Sequence, residues 1–325
     1  MQKILLIRPD RAGDAIKSLP ALRALRQICA DDLHILASHH NASCFEFEPN
    51  FTLHILPPSW EAGLTVIRNG FDKAILLPCE PTFTALQLLL SINSREMFAV
   101  VDKNRPFNQK ITPLFLSDGT AAKQNECLNA ALLISQALKQ NIGNDICRFS
   151  QAPIMSKLDT EEAEKQMGTK QGLWLGVCPL AGDAKRTHPL KSWKKLVGRI
   201  CQYKVWSKIF LLGPLSDRSV LLQFIADLPN ADKVEICCPS SFRTLGAYLK
   251  RLDGLTAVDS GPLHLARALE VPSLGILSGA DTSRWYPDQS IRDLLLPRGL
   301  FKRYPTTFEM LLAYRKWQDR LRILG

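Results

Sequence analysis

The chain has 325 residues, 46% hydrophobic and 22% charged, with a formal net charge of +10. This composition excludes a disordered or fibrous protein, and the length exceeds what one hydrophobic core usually serves, so two domains are expected. The nine cysteines are scattered, at 29, 44, 79, 127, 147, 178, 201, 237 and 238, without a Cys-x-x-Cys pair. That pattern points to reduced, mostly buried thiols in a cytosolic protein and away from a disulfide framework or a zinc site.

Along the chain, short apolar runs alternate with helical stretches, the pattern of β-α units around parallel sheets. The opening run, Ile4–Ile7, reads as a buried strand and is too short for a signal peptide. A helix follows over Asp14–Ile28, with a kink or restart expected at Pro20. Further strands are expected at Leu33–Ala37, Lys73–Leu77 and Met97–Val101, and a long amphipathic helix over Asn125–Lys139. The alternation breaks between Asn141 and Gly172, where Gly143, Asn144, Pro153 and the acidic cluster Asp159–Glu164 suggest a linker and a short charged helix. This sets the domain boundary near 165.

Beyond it the pattern restarts. Strands are expected at Leu173–Cys178, Ser207–Leu212, Val234–Cys238, Leu255–Val258 and Ser273–Leu277. Helices are expected at Trp193–Tyr203, Asp217–Leu228, from Pro262, and at Thr307–Leu324. The predicted architecture is α/β: two doubly wound domains facing a cleft, with ligands beyond the carboxyl ends of the strands. No run approaches the roughly 20 apolar residues that span a bilayer, so the reading is a cytoplasmic protein, attached at most at a membrane surface.

The charge is uneven. Residues 1–165 carry 17 Lys/Arg against 18 Asp/Glu, whereas residues 166–325 carry 24 against 13. A basic half suits an anionic partner such as nucleic acid, lipid headgroups or phosphorylated small molecules, although solubility alone also accounts for it. From Arg298 onward seven cations face two acids, interleaved with Phe301, Tyr304, Phe308, Tyr314 and Trp317. Such a segment suits an anionic membrane surface on one face and packing on the other.

Three segments carry chemistry. In Arg8-Pro-Asp-Arg-Ala-Gly-Asp14, Gly13 permits close approach of a ligand and Asp14 falls at a helix N-terminus, where a plain capping role accounts for it equally well. In Cys178-Pro-Leu-Ala-Gly-Asp-Ala-Lys-Arg-Thr-His-Pro189, small residues admit a ligand beside Lys185 and Arg186, cations suited to phosphate oxygens. A solvated basic loop is the competing reading. In Val258-Asp-Ser-Gly-Pro-Leu-His-Leu-Ala-Arg-Ala-Leu269, a strand enters a helix through Asp259-Ser260-Gly261. Pro262 suits the first turn, and main-chain N–H groups at Ser260–Leu263 form an anion site beside His264. There is no G-x-G-x-x-G and no P-loop, and no Asp-x-Asp motif or His cluster that suggests a metal.

Together these segments resemble the ADP-heptose:lipopolysaccharide heptosyltransferases, glycosyltransferase family 9. Arg11-Ala-Gly-Asp14 with Leu19-Pro20-Ala21-Leu22 is similar to the family's N-terminal R-x-G-D…L-P-x-L segment. Pro179-Leu-Ala-Gly182 with Lys185-Arg186 and Trp193 is similar to its second segment, and Asp259-Ser-Gly-Pro-Leu-His264 to its D-[ST]-G-x-x-H stretch. The resemblance implies two Rossmann-like domains of the GT-B fold. These would be an acceptor-binding domain at 1–165 and a nucleotide-sugar-binding domain at 166–300, with a final helix at 301–325 returning to the first domain.

It further implies a metal-independent, inverting glycosyltransferase without a cofactor, acting on a nucleotide-sugar donor and a phosphorylated glycolipid acceptor. Asp14 would be the general base, with Arg8, Arg11 and Gly13 on the acceptor-side loop. Lys185 would bind the diphosphate; Asp259, Ser260, Gly261, Leu263 and His264 would line the donor site. Asp217 falls near the family's ribose-binding Glu, and Thr187 stands where the family usually has Trp. The alternatives are a transferase or epimerase using another nucleotide sugar, or a non-catalytic nucleotide- or nucleic-acid-binding protein. The last lacks aromatic–basic interleaving outside the tail, so no nucleic acid is expected.

Overall fold

A computed structural model describes residues 1–57, 70–78, 80–101, 108–114, 126–142, 146–182, 186–277, 286, 290–297 and 304–324. The chain forms two compact units, one built on Met1–Ile154 and the other on Met155–Asp281 with Asp288–Gly325. Each holds a six-stranded parallel sheet. Counted within its own unit, each sheet has strand order 3-2-1-4-5-6, the doubly wound arrangement that the alternating sequence pattern predicts.

In the first unit the order is β3 (Thr52–Leu56), β2 (Asp32–Ser38), β1 (Lys3–Arg8), β4 (Phe71–Leu76), β5 (Ser94–Val100), β6 (Ile111–Leu114). Ile4, Leu5, Leu6 and Ile7 are all at most 1% exposed, the double-sided burial expected of a central parallel strand. The described helices are α1 (Ala12–Ile28), α2 (Phe83–Ser91) and α3 (Glu126–Leu138). Helix α1 passes through Pro20 without the expected restart, and Ala15 to Leu22 are all buried. Packing on nearly every side outweighs the roughly 3 kcal/mol that an interior proline costs.

In the second unit the order is β12 (Leu294–Leu296), β11 (Ser273–Ile276), β10 (Gly254–Val258), β7 (Leu173–Cys178), β8 (Trp206–Leu212), β9 (Val234–Cys237). Its helices are α4 (Lys157–Met167), α5 (Leu190–Cys201), α6 (Arg218–Ala226), α7 (Phe242–Lys250), α8 (Gly261–Ala268) and α9 (Thr307–Leu324). The core joins Trp193, Leu196 and Val197 of α5 to Leu175, Val177, Ile209 and Leu211 of the central strands.

Two features differ from the sequence reading. The final helix, expected to return to the first domain, packs into the second unit's own core. Met310, Tyr314 and Trp317 are fully buried there, and the Trp317 ring stacks near-parallel to Trp206 at 6.4 Å. Tyr314 and Trp317, two of the aromatic residues attributed to a membrane-facing tail, are thus core residues, because their spacing in α9 puts them on one apolar face.

The charged helix α4, expected as a short helix ahead of a domain boundary near 165, belongs to the second unit, which begins at Met155. Ser156 and Asp159 form a capping box at its start. Asp159 also accepts from Arg243 Nε at 2.7 Å and Thr244 Oγ1 at 2.6 Å, both on α7. Burial by itself raises the Asp159 carboxyl, but the bonds from Arg243, Thr244 and Ser156 outweigh it and bring it from 3.8 down to about 2. A depressed carboxyl contributes stability above its unfolded value that is lost as pH falls through its folded one. Acid denaturation of the wild type is therefore expected to steepen between about pH 4 and pH 2. Asp159→Asn should flatten that limb and cost about 2 kcal/mol at pH 7, measured by thermal melts across the pH range.

Candidate active site

Ligands of open α/β sheets lie beyond the strand carboxyl ends where the strand order reverses. In the first unit that point is between β1 and β4, and the loop leaving β1 is Arg8–Asp14. Arg8 is 1% exposed and acts as its hub. Its Nε lies 3.0 Å from Asp10 Oδ1, its Nη2 donates to the Asp14 carbonyl at 2.9 Å, and the same nitrogen lies 3.6 Å from Glu126 Oε1 at the start of α3. Asn41, fully buried after β2, donates to the carbonyls of Arg8 at 2.8 Å and Asp10 at 2.7 Å. Asp14 sits partly exposed in the first turn of α1, where the helix dipole favours a carboxylate. Gly13 is buried and Arg11, the N-cap residue, is exposed.

Sequence reasoning missed Asp10 and Glu126. Burial raises the Asp10 carboxyl most, and the nearby Asp14 and Glu126 add to this against the pull of Arg8, leaving it at about 6. Asp10 lay inside the quoted loop and its acidity was a visible signal. Glu126 opens a helix more than a hundred residues away, and only the fold brings it to Arg8.

In the second unit the reversal falls between β7 and β10, which are neighbours with Ala257 opposite Cys178. The loops leaving them, from Cys178 and from Asp259, therefore start side by side. Asp259, Ser260 and His264 are 3%, 5% and 6% exposed. Ser260 is the N-cap of α8, followed by Gly261 and then Pro262 in the first turn as expected. Leu263 differs from its expected role. Its N–H is spent on the Ser260 carbonyl at 3.0 Å, and its wholly buried side chain meets Gly275, where an added Cβ would lie 2.7 Å from it. Leu263 packs the helix onto β11, so the main-chain donors offered to an anion narrow to Ser260 and Gly261. Lys185 lies outside the described residues.

Asp217 is the N-cap residue of α6, after β8, and is partly exposed. It shares a cavity of about 420 Å³ with Leu180, Ala181, Thr187, His188, Val220 and Tyr304, a size suited to a small-molecule ring system. Thr187, in place of the aromatic residue usual in the resembled family, accepts the Ala181 N–H at 3.2 Å and so closes its own loop. His188 bonds the Pro305 carbonyl through Nε2 at 2.7 Å and meets the Tyr304 ring edge-on, fixing the cavity wall.

Comparison with known proteins agrees with this arrangement. Residues 135–292 match the model of glycosyltransferase family 9 (heptosyltransferase). The glycosyl transferase family 9 structure from Veillonella parvula aligns with a TM-score of 0.77 at 15% identity, covering 99% of this chain and 97% of that one. ADP-heptose lps heptosyltransferase II of E. coli aligns with a TM-score of 0.74 at 15% identity, covering 99% and 100%. E. coli heptosyltransferase WaaC with ADP aligns with a TM-score of 0.69 at 13% identity, covering 98% and 99%. No curated protein sequence matches the chain. The fold is that of the GT-B glycosyltransferases. Residues 135–292, just under half of the chain, are thus similar to glycosyltransferase family 9 (heptosyltransferase).

Proposed function

We propose that the chain transfers heptose from ADP-heptose to a hydroxyl of a phosphorylated lipopolysaccharide inner-core acceptor, with inversion at the anomeric carbon and without a metal ion. The observation that carries this reading is positional. All three chemistry-bearing loops, two from the second unit and one from the first, leave strands at the reversal of strand order. Solved relatives are described with ADP and as using ADP-heptose, which supports that donor.

In this reading the acceptor hydroxyl attacks the anomeric carbon and Asp14 takes its proton, help typically worth about 10²–10⁴-fold. The bond to the diphosphate breaks on the opposite face. The departing charge is met by Lys185 and the main-chain N–H groups of Ser260 and Gly261, the logic of an oxyanion hole. Asp259, immediately after β10, and His264, in the first turn of α8, border this point. Asp217 and the cavity beside it receive the nucleoside. Arg8 and Gly13 shape the acceptor-side loop. The exposed cations of α9, Arg315, Lys316, Arg320 and Arg322, give an outward face suited to anionic headgroups at the cytoplasmic side of a membrane.

Calorimetric titration with ADP and ADP-heptose, in buffer containing EDTA, tests the donor half. Both ligands should bind the wild-type chain. Lys185→Ala should weaken ADP binding by about tenfold or more, the value of a charge-assisted hydrogen bond. A folded wild-type chain that binds neither ligand overturns the donor assignment. Unchanged affinity in Lys185→Ala moves the phosphate site elsewhere.

A further inference from the structure

Strand β2 ends beside the Arg8–Asp14 loop, and the turn that follows it, His39-His40, has no place in the chemistry above. The turn is pinned to the loop from both flanks. Ser38 Oγ donates to the Asp10 carbonyl at 3.2 Å. Asn41, on the other flank, donates to the carbonyls of Arg8 and Asp10, and its own N–H bonds the Ser38 carbonyl at 3.1 Å. Both imidazoles are exposed, and their ring centroids lie 3.7 Å apart. Arg11, at the N-cap of α1, is exposed on the same rim. Three side chains able to carry positive charge are thus held at the carboxyl end of the sheet, beside the loop that leads to Asp14.

We infer that His39, His40 and Arg11 form a subsite for a phosphate monoester carried by the acceptor sugar. The inference rests on the reading that the first unit receives an anionic acceptor, and it names the group recognised and the residues that recognise it. The chemistry fits in three ways. A guanidinium and two imidazoles present several N–H donors to phosphate oxygens. Their exposure leaves the donors open to a ligand arriving from solvent. Side-chain hydrogen bonds from Ser38 and Asn41 to carbonyls of the Arg8–Asp14 loop hold the turn in register with that loop, so a phosphate bound there fixes the sugar relative to Asp14.

The charges acting on His40 agree. Burial lowers its proton affinity first, and His39 and Arg11 lower it further. A bound dianion works the other way, since opposite charge within about 4–6 Å raises the midpoint of a cationic group. Binding then takes up protons and weakens as pH rises through the histidine range.

The test is histidine titration by NMR with the wild-type chain, using glucose 6-phosphate and inorganic phosphate as probes, and glucose and sodium chloride at matched concentration as controls. The chain has six histidines, and the exposed variants His39→Gln and His40→Gln assign the two signals. With glucose 6-phosphate, the midpoints of His39 and His40 should rise by about one pH unit while the other four stay in place. A response to glucose 6-phosphate larger than to inorganic phosphate marks the ligand as a sugar phosphate; an equal response still supports the phosphate site. Midpoints that do not move, or that move equally in sodium chloride or at all six histidines, overturn it. Failure of the glycosyltransferase reading shows separately, as absence of ADP binding in the calorimetric titration, and leaves these titrations unaffected.

Discussion

Asp14→Asn is expected to lower turnover at least about a hundredfold while folding and ADP affinity stay at wild-type values. The substitution removes a proton acceptor and its charge while keeping the side-chain shape. Arg8 holds the loop through the main-chain carbonyl of residue 14, a contact that asparagine keeps, and the donor residues belong to the other unit. Turnover is measured with saturating ADP-heptose and acceptor, alongside ADP titration of the same preparation. A base that acts in the transition state lowers kcat and kcat/KM together when lost, whereas a residue that only binds acceptor raises KM. Near-normal turnover in the variant removes Asp14 from the role. Asp10 is then the next carboxyl to test, since it sits on the same loop with its proton affinity raised to about 6.

Trp317→Ala carries the largest expected loss of stability, about 3–5 kcal/mol, the usual cost of truncating a buried tryptophan. The ring is fully buried and its Nε1 donates to the Arg292 carbonyl at 2.9 Å. A Cβ at Gly254 would stand 2.7 Å from its Cη2 atom, so β10 and the indole meet without room for a side chain between them. Truncation leaves a void beside Trp206 and Tyr314 together with an orphaned carbonyl, and such a site collapses poorly. Thermal and urea unfolding check the prediction, with a fall in midpoint of roughly 10 °C. Phe308→Ala serves as control. Phe308 lies on the same helix but is 74% exposed, and its loss should change stability by less than about 0.5 kcal/mol. Equal effects of the two substitutions would show that α9 is held by something other than its buried face.

The central strands were legible because burial on both faces writes an unbroken apolar run, as in Ile4–Ile7 and Leu173–Cys178. The edge strands of the first sheet were not. Thr52–Leu56 has only Leu56 buried, and Ile111–Leu114 carries Pro113 in its middle, tolerated because the strand lies at the edge of its sheet. Neither has a pattern that separates it from a loop. The helix Phe242–Lys250 passed unread for a different reason: its flank Ser240-Ser241 resembles a turn, yet Ser241 is its N-cap and accepts the Thr244 N–H at 3.0 Å.

For the site, local motifs gave the loops and their strand-to-helix setting. They did not give Glu126 or Asn41, whose meeting with Arg8 depends on contacts across 33 residues for Asn41 and more for Glu126. They also overstated Leu263, since a motif position records where a residue stands and not which way it packs.

The placement of α9 has a consequence for how the protein is made. Every strand of the first sheet has left the ribosome's decoding site by Leu114, early in synthesis. Trp206 must wait for Tyr314, 108 residues later. At roughly 5–20 residues per second that is a delay on the order of ten seconds, during which Trp206 and the sheet surface at Gly254 lack the cover of α9. This interval, more than any weakness of the finished molecule, is where chaperone capture and aggregation should concentrate.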